Sequence, residues 1–282
     1  FALPTPLRER VKEKKGHHHR KKQLEMTQNP ETQGLPPIRS WVNPLVKPRL
    51  ALLCIHGLGL HSGSFEFFGN QASLHGIAVY AMDVRGFGAW MKAEGKSQVD
   101  FDSCLVDVKQ TILAIRQKHP DLPVFLLGES MGGAIALRAA SLYPEIVDGL
   151  ISSVPAEERF KQGRTNVKVA MHLLRRPRKE MDIGTDIVNQ ATADEKLREE
   201  WKGDPLGRMN LTPKELMQFQ AFMNDNHDSA KHVTDMPVLF VQGTKDHLVK
   251  PEGTWDLFNE LVTKDKVFLA IPGEHLIFEE AQ

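Results

Sequence analysis

From Leu50 onward the chain repeats one hydrophobic pattern: a short unbroken apolar run, a turn, then a longer stretch with apolar residues three and four apart. The runs are Leu50–Ile55, Ile77–Met82, 124–127, 150–154, 237–241 and 267–271, rich in Val, Ile, Leu or Phe and bounded by Gly, Pro or Asp. Such runs read as strands buried on both faces, which is what a parallel sheet requires. The stretches between them read as amphipathic helices. In 104–118, Leu105, Val108, Ile112 and Ile115 share one face. Strands alternating with helices predict βαβ units and a doubly wound α/β sheet.

One interval breaks the rhythm. Residues 155–235 contain no strand-like run and read as helices, with Val167, Met171 and Leu174 on one face and Leu216, Phe219 and Met223 on another. An excursion of about 80 residues far exceeds the ~2–6 residues that usually join strands and helices, so a helical cap above the sheet is expected. The chain then divides into an N-terminal extension (1–47), a first core part (48–154), the cap (155–235) and a second core part (236–282). The extension is polar and broken by Pro30, Pro36, Pro37 and Pro44, with room for one short edge strand. Six methionines of the cap region (Met171, Met181, Met209, Met217, Met223, Met236), with Phe219 and Phe222, suit either an adaptable acyl channel or cap packing.

Candidate chemistry falls at the strand ends. Gly128-Glu129-Ser130-Met131-Gly132 follows the run 124–127 and opens a helical pattern over 133–142 with Ala136, Ala139 and Ala140. This strand–turn–helix context is that of a nucleophile elbow, in which glycines two residues either side clear space around an exposed serine hydroxyl. Such a serine needs a general base oriented by a carboxylate. Asp246 follows the run 237–241 and His275 follows 267–271, so both stand at carboxyl ends of strands, where ligands gather. His247 is the competing base, but it adjoins the acid. An oxyanion hole needs two backbone N–H groups; Met131, next to the serine, and Leu58, between Gly57 and Gly59, are the candidates. His56 reads as a packing residue of that loop.

His56-Gly57-Leu58-Gly59 with His61-Ser62-Gly63, Asp83-Val84-Arg85-Gly86, and Gly128-Glu129-Ser130-Met131-Gly132-Gly133 together resemble the monoacylglycerol lipase and lysophospholipase branch of the α/β-hydrolases. That branch is similar to the proline-iminopeptidase-like serine hydrolases. The resemblance runs from about Leu50 to Glu280. It implies an eight-stranded, mostly parallel sheet with helices on both faces, a helical cap, and hydrolysis of the ester of a single-chain acyl lipid. It implies Ser130 as nucleophile, Asp246 and His275 as its partners, and Leu58 and Met131 as oxyanion donors. The family's Arg-Gly-His-Gly followed by Ser is here Arg85-Gly86-Phe87-Gly88-Ala89, which implies a different pocket wall.

Composition narrows the picture further. Lys+Arg and Asp+Glu are 36 each, so net charge argues for neither nucleic acid nor an acidic partner. Two cysteines, Cys54 and Cys104, exclude a disulfide scaffold and a Cys-rich zinc module and read as reduced buried thiols. No run approaches the ~20 apolar residues of a membrane helix. Residues 8–22 carry eight basic side chains against Glu9 and Glu13, about +6, without the apolar stretch of a signal peptide. They read as a solvated tail, or as a surface for anionic lipid head groups; Arg175-Arg176-Pro177-Arg178-Lys179 has the same two readings. His17, His18 and His19 make a poor metal cage. Serine acyl transfer needs no cofactor and no metal. A small acyl ester is the expected partner, in a cytoplasmic protein with at most peripheral lipid contact through the cap or the basic segment. The oligomeric state is not encoded. The rivals are an aminopeptidase-like amide hydrolase, with Glu180 or Asp186 to anchor an amine, and a non-catalytic binding protein on the same scaffold.

Overall fold

The computed structural model describes residues 34–155 and 179–279. By its contacts the chain divides after Gly34, and the description below concerns the unit from Leu35 onward. The basic segment 8–22, the three adjacent histidines, Val167, Met171, Leu174 and Arg175 to Arg178 lie outside the described residues.

The apolar runs form strands, each close to its expected bounds. They are β2 (Leu50–Ile55), β3 (Ile77–Met82), β4 (Val124–Glu129), β5 (Gly149–Ser153), β8 (Val238–Gly243) and β9 (Lys266–Ile271), joined at one edge by β1 (Ile38–Trp41). The sheet order is β1-β3-β2-β4-β5-β8-β9, with β1 antiparallel and every other pair parallel. Among the described residues the sheet therefore has seven strands where eight were expected. Among the described residues before Leu50 only Ile38–Trp41 pairs, because Pro36, Pro37 and Pro44 cannot donate to a ladder and confine it to four residues.

Helices α1 (Glu66–Leu74), α2 (Phe101–Lys118) and α3 (Met131–Leu142) follow β2, β3 and β4. Asp100 caps α2 by accepting the Ser103 N–H at 3.0 Å, and Arg116 and Lys118 complement the dipole at its end. Its expected stripe of Leu105, Val108, Ile112 and Ile115 is buried. α3 is buried almost all round, and its glycines and alanines let it lie close on β4 and β5. The two cysteines are free and buried; burial raises the Cys54 thiol well above its ordinary value and pushes Cys104 to about 12.

Between β5 and β8 the described residues form α4 (Gly184–Ala191), α5 (Glu195–Gly203), α6 (Pro213–Asn224) and α7 (Asn226–Lys231), plus a two-stranded ribbon of β6 (Met181–Asp182) and β7 (Asn210–Leu211). The ribbon was not anticipated; strands of two residues carry no readable period. α6 opens on a capping box, Thr212 with Glu215, and Pro213 in its first turn. Its Leu216, Phe219, Phe222 and Met223 join the main core, whereas Val188 of α4 and Trp201 of α5 belong to a small separate cluster with Leu60, Ala191 and Leu276. After β8, α8 (Pro251–Glu260) leads to β9. Burial on both faces fails at β9: Val267 is 56% and Leu269 44% exposed. No helix among the described residues is long and apolar enough to cross a membrane.

Candidate active site

Ser130 sits between the end of β4 and the first residue of α3 with φ 55° and ψ −116°, one of two non-glycine residues with positive φ among those described. A side chain rarely tolerates this conformation. Here the crossing of strand and helix imposes it. A Cβ on Gly128 would lie 2.0 Å from the Gly132 carbonyl oxygen, and one on Gly132 1.9 Å from that of Ile55. The Ser130 N–H donates to the Ser153 carbonyl at 2.9 Å, which ties the turn to β5. Val154, the second positive-φ residue (37°), follows directly.

Asp246 and His275 meet as their strands dictate. The loop after β8 hydrogen-bonds to the end of β9 and the turn beyond it: Thr244 N–H to Ile271 O at 2.8 Å, Lys245 N–H to Gly273 O at 3.0 Å. His275 Nδ1 lies 2.8 Å from Asp246 Oδ2, both side chains buried. The other carboxylate oxygen, Oδ1, accepts the Leu248 and Val249 N–H groups at 2.7 and 2.9 Å. Burial alone would raise the Asp246 pKa; the attraction and hydrogen bond of His275, with these two amides, outweigh it and hold the group below the ordinary carboxylate range. With Nδ1–H donated to Asp246, the imidazole lone pair lies on Nε2. His247, the competing base, is exposed.

Ser130 and His275 line one cavity, with Gly57, Leu58, Leu60, Ile187, Trp201 and Phe219 among its walls. It is apolar apart from those two side chains, and its volume of about 20 Å³ is close to what one water needs. None of the described cap-region methionines is among its lining residues. Met223 and Met236 are buried in the main core, Met181 packs against it, Met209 packs on α4, and Met217 is 51% exposed. Phe87 is not a pocket wall either: it is fully buried, edge-on to His56 at 5.9 Å.

The loop after β2 runs beside the serine. A Cβ on Gly57 would stand 3.6 Å from that of Ser130. The Leu58 N–H lies in this loop, and the Met131 N–H heads α3, where helix amides have no intrahelical partner. His56 supports the loop, donating from Nδ1 to the Gly57 carbonyl at 2.8 Å and accepting the Val84 N–H at Nε2 at 3.0 Å. Burial lowers its pKa to about 4 against the pull of Asp83, so it is a neutral strut. Asp83 fixes two neighbouring loops through the Ser62 and Ala89 N–H groups, each at 2.8 Å.

Two features were not read from the sequence. The segment 191–193 touches the His275 loop: His275 N–H donates to the Ala191 carbonyl at 3.1 Å, and the Ala193 N–H to the Glu274 carboxylate. The other is Glu129, the variable position of the serine motif, which is fully buried and accepts the Ile277 and Phe278 N–H groups at 2.7 and 3.3 Å. Only its place between Gly128 and Ser130, at a strand end, marks it in the sequence.

A nucleophile turn at the end of the central parallel strand, with an Asp–His pair in the loops after the last two strands of the sheet, defines a serine hydrolase of the α/β-hydrolase fold. The chain belongs to the family described as serine aminopeptidase, S33, whose model matches residues 46–282. It is similar to the monoglyceride lipase of Homo sapiens, 28% identical over 86% of this chain and 80% of that one. A Schizosaccharomyces pombe relative is 26% identical over 83% of this chain, which spans 64% of that relative's length. Among solved structures, the monoacylglycerol lipase of Paleococcus ferrophilus superposes with a TM-score of 0.72 at 26% identity, covering 86% of this chain and 91% of the other.

Proposed function

We propose that the protein hydrolyses the carboxylic ester of a single-chain acyl lipid, of monoacylglycerol or lysophospholipid type, through an acyl-enzyme on Ser130. The observation that carries this reading is the Asp246–His275 pair lining, with a strained Ser130, one apolar cavity. Ser130 Oγ attacks the ester carbonyl carbon while His275 Nε2 takes its proton, and Asp246 stabilises the imidazolium. The Leu58 and Met131 N–H groups meet the oxyanion. The carbonyl re-forms as the C–O bond to the alcohol breaks, and His275 returns the proton to the departing oxygen. Water then gives its proton to His275 and attacks the acyl-serine, releasing the fatty acid and regenerating the Ser130 hydroxyl.

Apolar walls suit an acyl chain, and the names of the relatives point to the same substrate class. At its present volume the cavity excludes that chain, so entry requires the helices over it to shift, α4 and α5 first because their cluster is the small one. Residues 155–235 act in this reading as the cap, and the basic segment 8–22 as a site of peripheral contact with lipid head groups. An aminopeptidase would need a carboxylate facing the substrate amine. Glu180 instead stands 3.6 Å from Arg208, Asp186 is exposed, and neither lines the cavity.

The test is release of fatty acid from medium- and long-chain monoacylglycerols, with Ser130→Ala as the blank. Turnover is expected to fall by about 10⁴-fold or more with the melting temperature unchanged. Ester hydrolysis that survives the substitution would refute the acyl-enzyme.

A further inference from the structure

Next to the reaction cavity lies a much larger one. Its volume is about 420 Å³, against about 20 Å³ at Ser130 and His275. It lies between the loop after β2 and the end of α5, with Leu197 and Leu206 among its apolar walls. The His61–Asp204 pair forms part of its polar wall, and Glu66 and Glu200 stand exposed at its rim. Of the described residues, three line both cavities: Leu60, Trp201 and Leu276. All three are buried and belong to the same small apolar cluster. A side chain that lines two cavities stands between them, so these three form a partition.

The chemistry of acyl transfer fixes which half of an ester faces that partition. The imidazole that takes the serine proton must return it to the departing alcohol oxygen, so the alcohol half lies on the His275 side of the scissile bond. Leu276 follows His275 directly, and Leu60 stands two residues past Leu58. Both are on loops of the core. Trp201 alone of the three comes from the covering helices, and it is the bulkiest. Its indole rests on Gly59, where a Cβ would stand 3.7 Å from the ring, and its N–H reaches the Gly59 carbonyl at a long 3.4 Å. One weak hydrogen bond and apolar packing hold the ring, so its bulk decides what fits beside it. We propose that Trp201 is a specificity-determining residue on the alcohol side: its indole closes the reaction cavity against the larger one and holds the alcohol half of the ester to a small group. This rests on the acyl-enzyme reading. Removing the indole joins the two spaces and leaves a void shaped for a fused-ring alcohol.

The test compares 2-(2-naphthyl)ethyl butanoate with ethyl butanoate. Both are esters of primary alcohols and both give the same butanoyl-Ser130, so a difference in kcat/KM belongs to acylation, while the alcohol is still attached. Trp201→Ala is expected to raise the naphthylethyl-to-ethyl ratio of kcat/KM by about 10-fold or more, the scale on which a pocket discriminates by size. The ratio between ethyl octanoate and ethyl butanoate, which reads the acyl side, should stay within about threefold, below that scale. An unmoved alcohol ratio would overturn the proposal, as would an acyl ratio that shifts as far as the alcohol ratio. Should Trp201→Ala not fold, Trp201→Leu keeps the partition apolar at smaller volume, and a smaller gain in the same direction is expected. A wild-type chain that hydrolyses neither ethyl ester would refute the esterase reading and the proposal with it. Wild-type activity on ethyl butanoate with an unmoved alcohol ratio in the variant would overturn the role of Trp201 alone.

Discussion

Around Ser130 the chain is held by its own backbone, whereas the helices above the cavity are held largely by side chains. At the turn, β4 and α3 close to distances at which two glycine positions admit no Cβ, and Ser130 is pinned to Ser153 through main-chain atoms. In the covering segment, Asp204 reaches His61 at 2.7 Å. Arg208 donates to the Gly86 and Ser97 carbonyls at 3.0 and 3.2 Å and pairs with Glu215 at 2.9 Å. The buried apolar residues of α4 and α5, Val188, Ala191 and Trp201, belong to the small cluster around Trp201, and Ile187 of α4 also touches the main core. A preorganised reaction centre tolerates no slack, while elements that must admit a substrate belong to the less stable part of a structure. The contrast is the one an enclosed hydrolytic site requires.

The largest expected effect lies at the turn. Gly132→Ala would set a Cβ 1.9 Å from the Ile55 carbonyl oxygen and 2.8 Å from that of His56, both backbone atoms of a central strand and its loop. No side chain can rotate away to relieve this, so a loss above about 4 kcal/mol is expected, seen as insoluble protein or a collapsed melting transition. A soluble Gly132→Ala protein with the wild-type melting temperature would show that the turn has slack, and would end the contrast.

That turn was also the most legible part of the sequence. Ser130 carries its glycines within two residues, and Asp246 and His275 each follow an apolar run, so local pattern placed all three at one sheet edge. Other features were illegible for a common reason. The pairing of Asp204 with His61, or of Arg208 with Gly86, joins residues far apart in sequence and leaves no periodic trace. Glu129 occupies a motif position that any residue can fill. Val267 and Leu269 belong to an apolar run that reads the same whether or not a neighbour covers it. The eighth strand came from resemblance rather than from a run of residues before Leu50, and among the described residues only β1 stands there.

An intermediate effect is expected where the cover is fastened. Glu215 caps α6, accepts the Val99 N–H at 3.1 Å and pairs with Arg208, with its side chain almost wholly buried. Burial alone would raise its pKa; its bonds to Thr212 and Val99 and the charge of Arg208 hold it below the ordinary range. Arg208→Met keeps the stem and leaves the buried carboxylate unpaired, a change that typically costs about 3–5 kcal/mol. We expect a loss near the lower bound, because the Thr212 and Val99 hydrogen bonds remain. Hydrogen exchange should locate it, quickening amides of 195–215 ahead of those of α3. Equal quickening in α3 would mean that cover and turn unfold as one unit.

The smallest effect sharpens the same contrast from the other side. Gly203 closes α5, and a Cβ added there meets nothing within 4 Å, unlike its counterparts at 128 and 132. Gly203→Ala adds no clash and narrows the unfolded chain, so it should leave stability unchanged or raise it by up to about 1 kcal/mol, read as a urea midpoint. Because α5 supplies Trp201 to the cavity wall, the substitution also probes whether closure limits turnover. A helix made stiffer without touching the chemistry should slow ester turnover only if α5 must loosen to admit substrate. A destabilised Gly203→Ala protein would instead show that α5 packs more tightly than its small cluster implies, and the opening would have to be sought in α4.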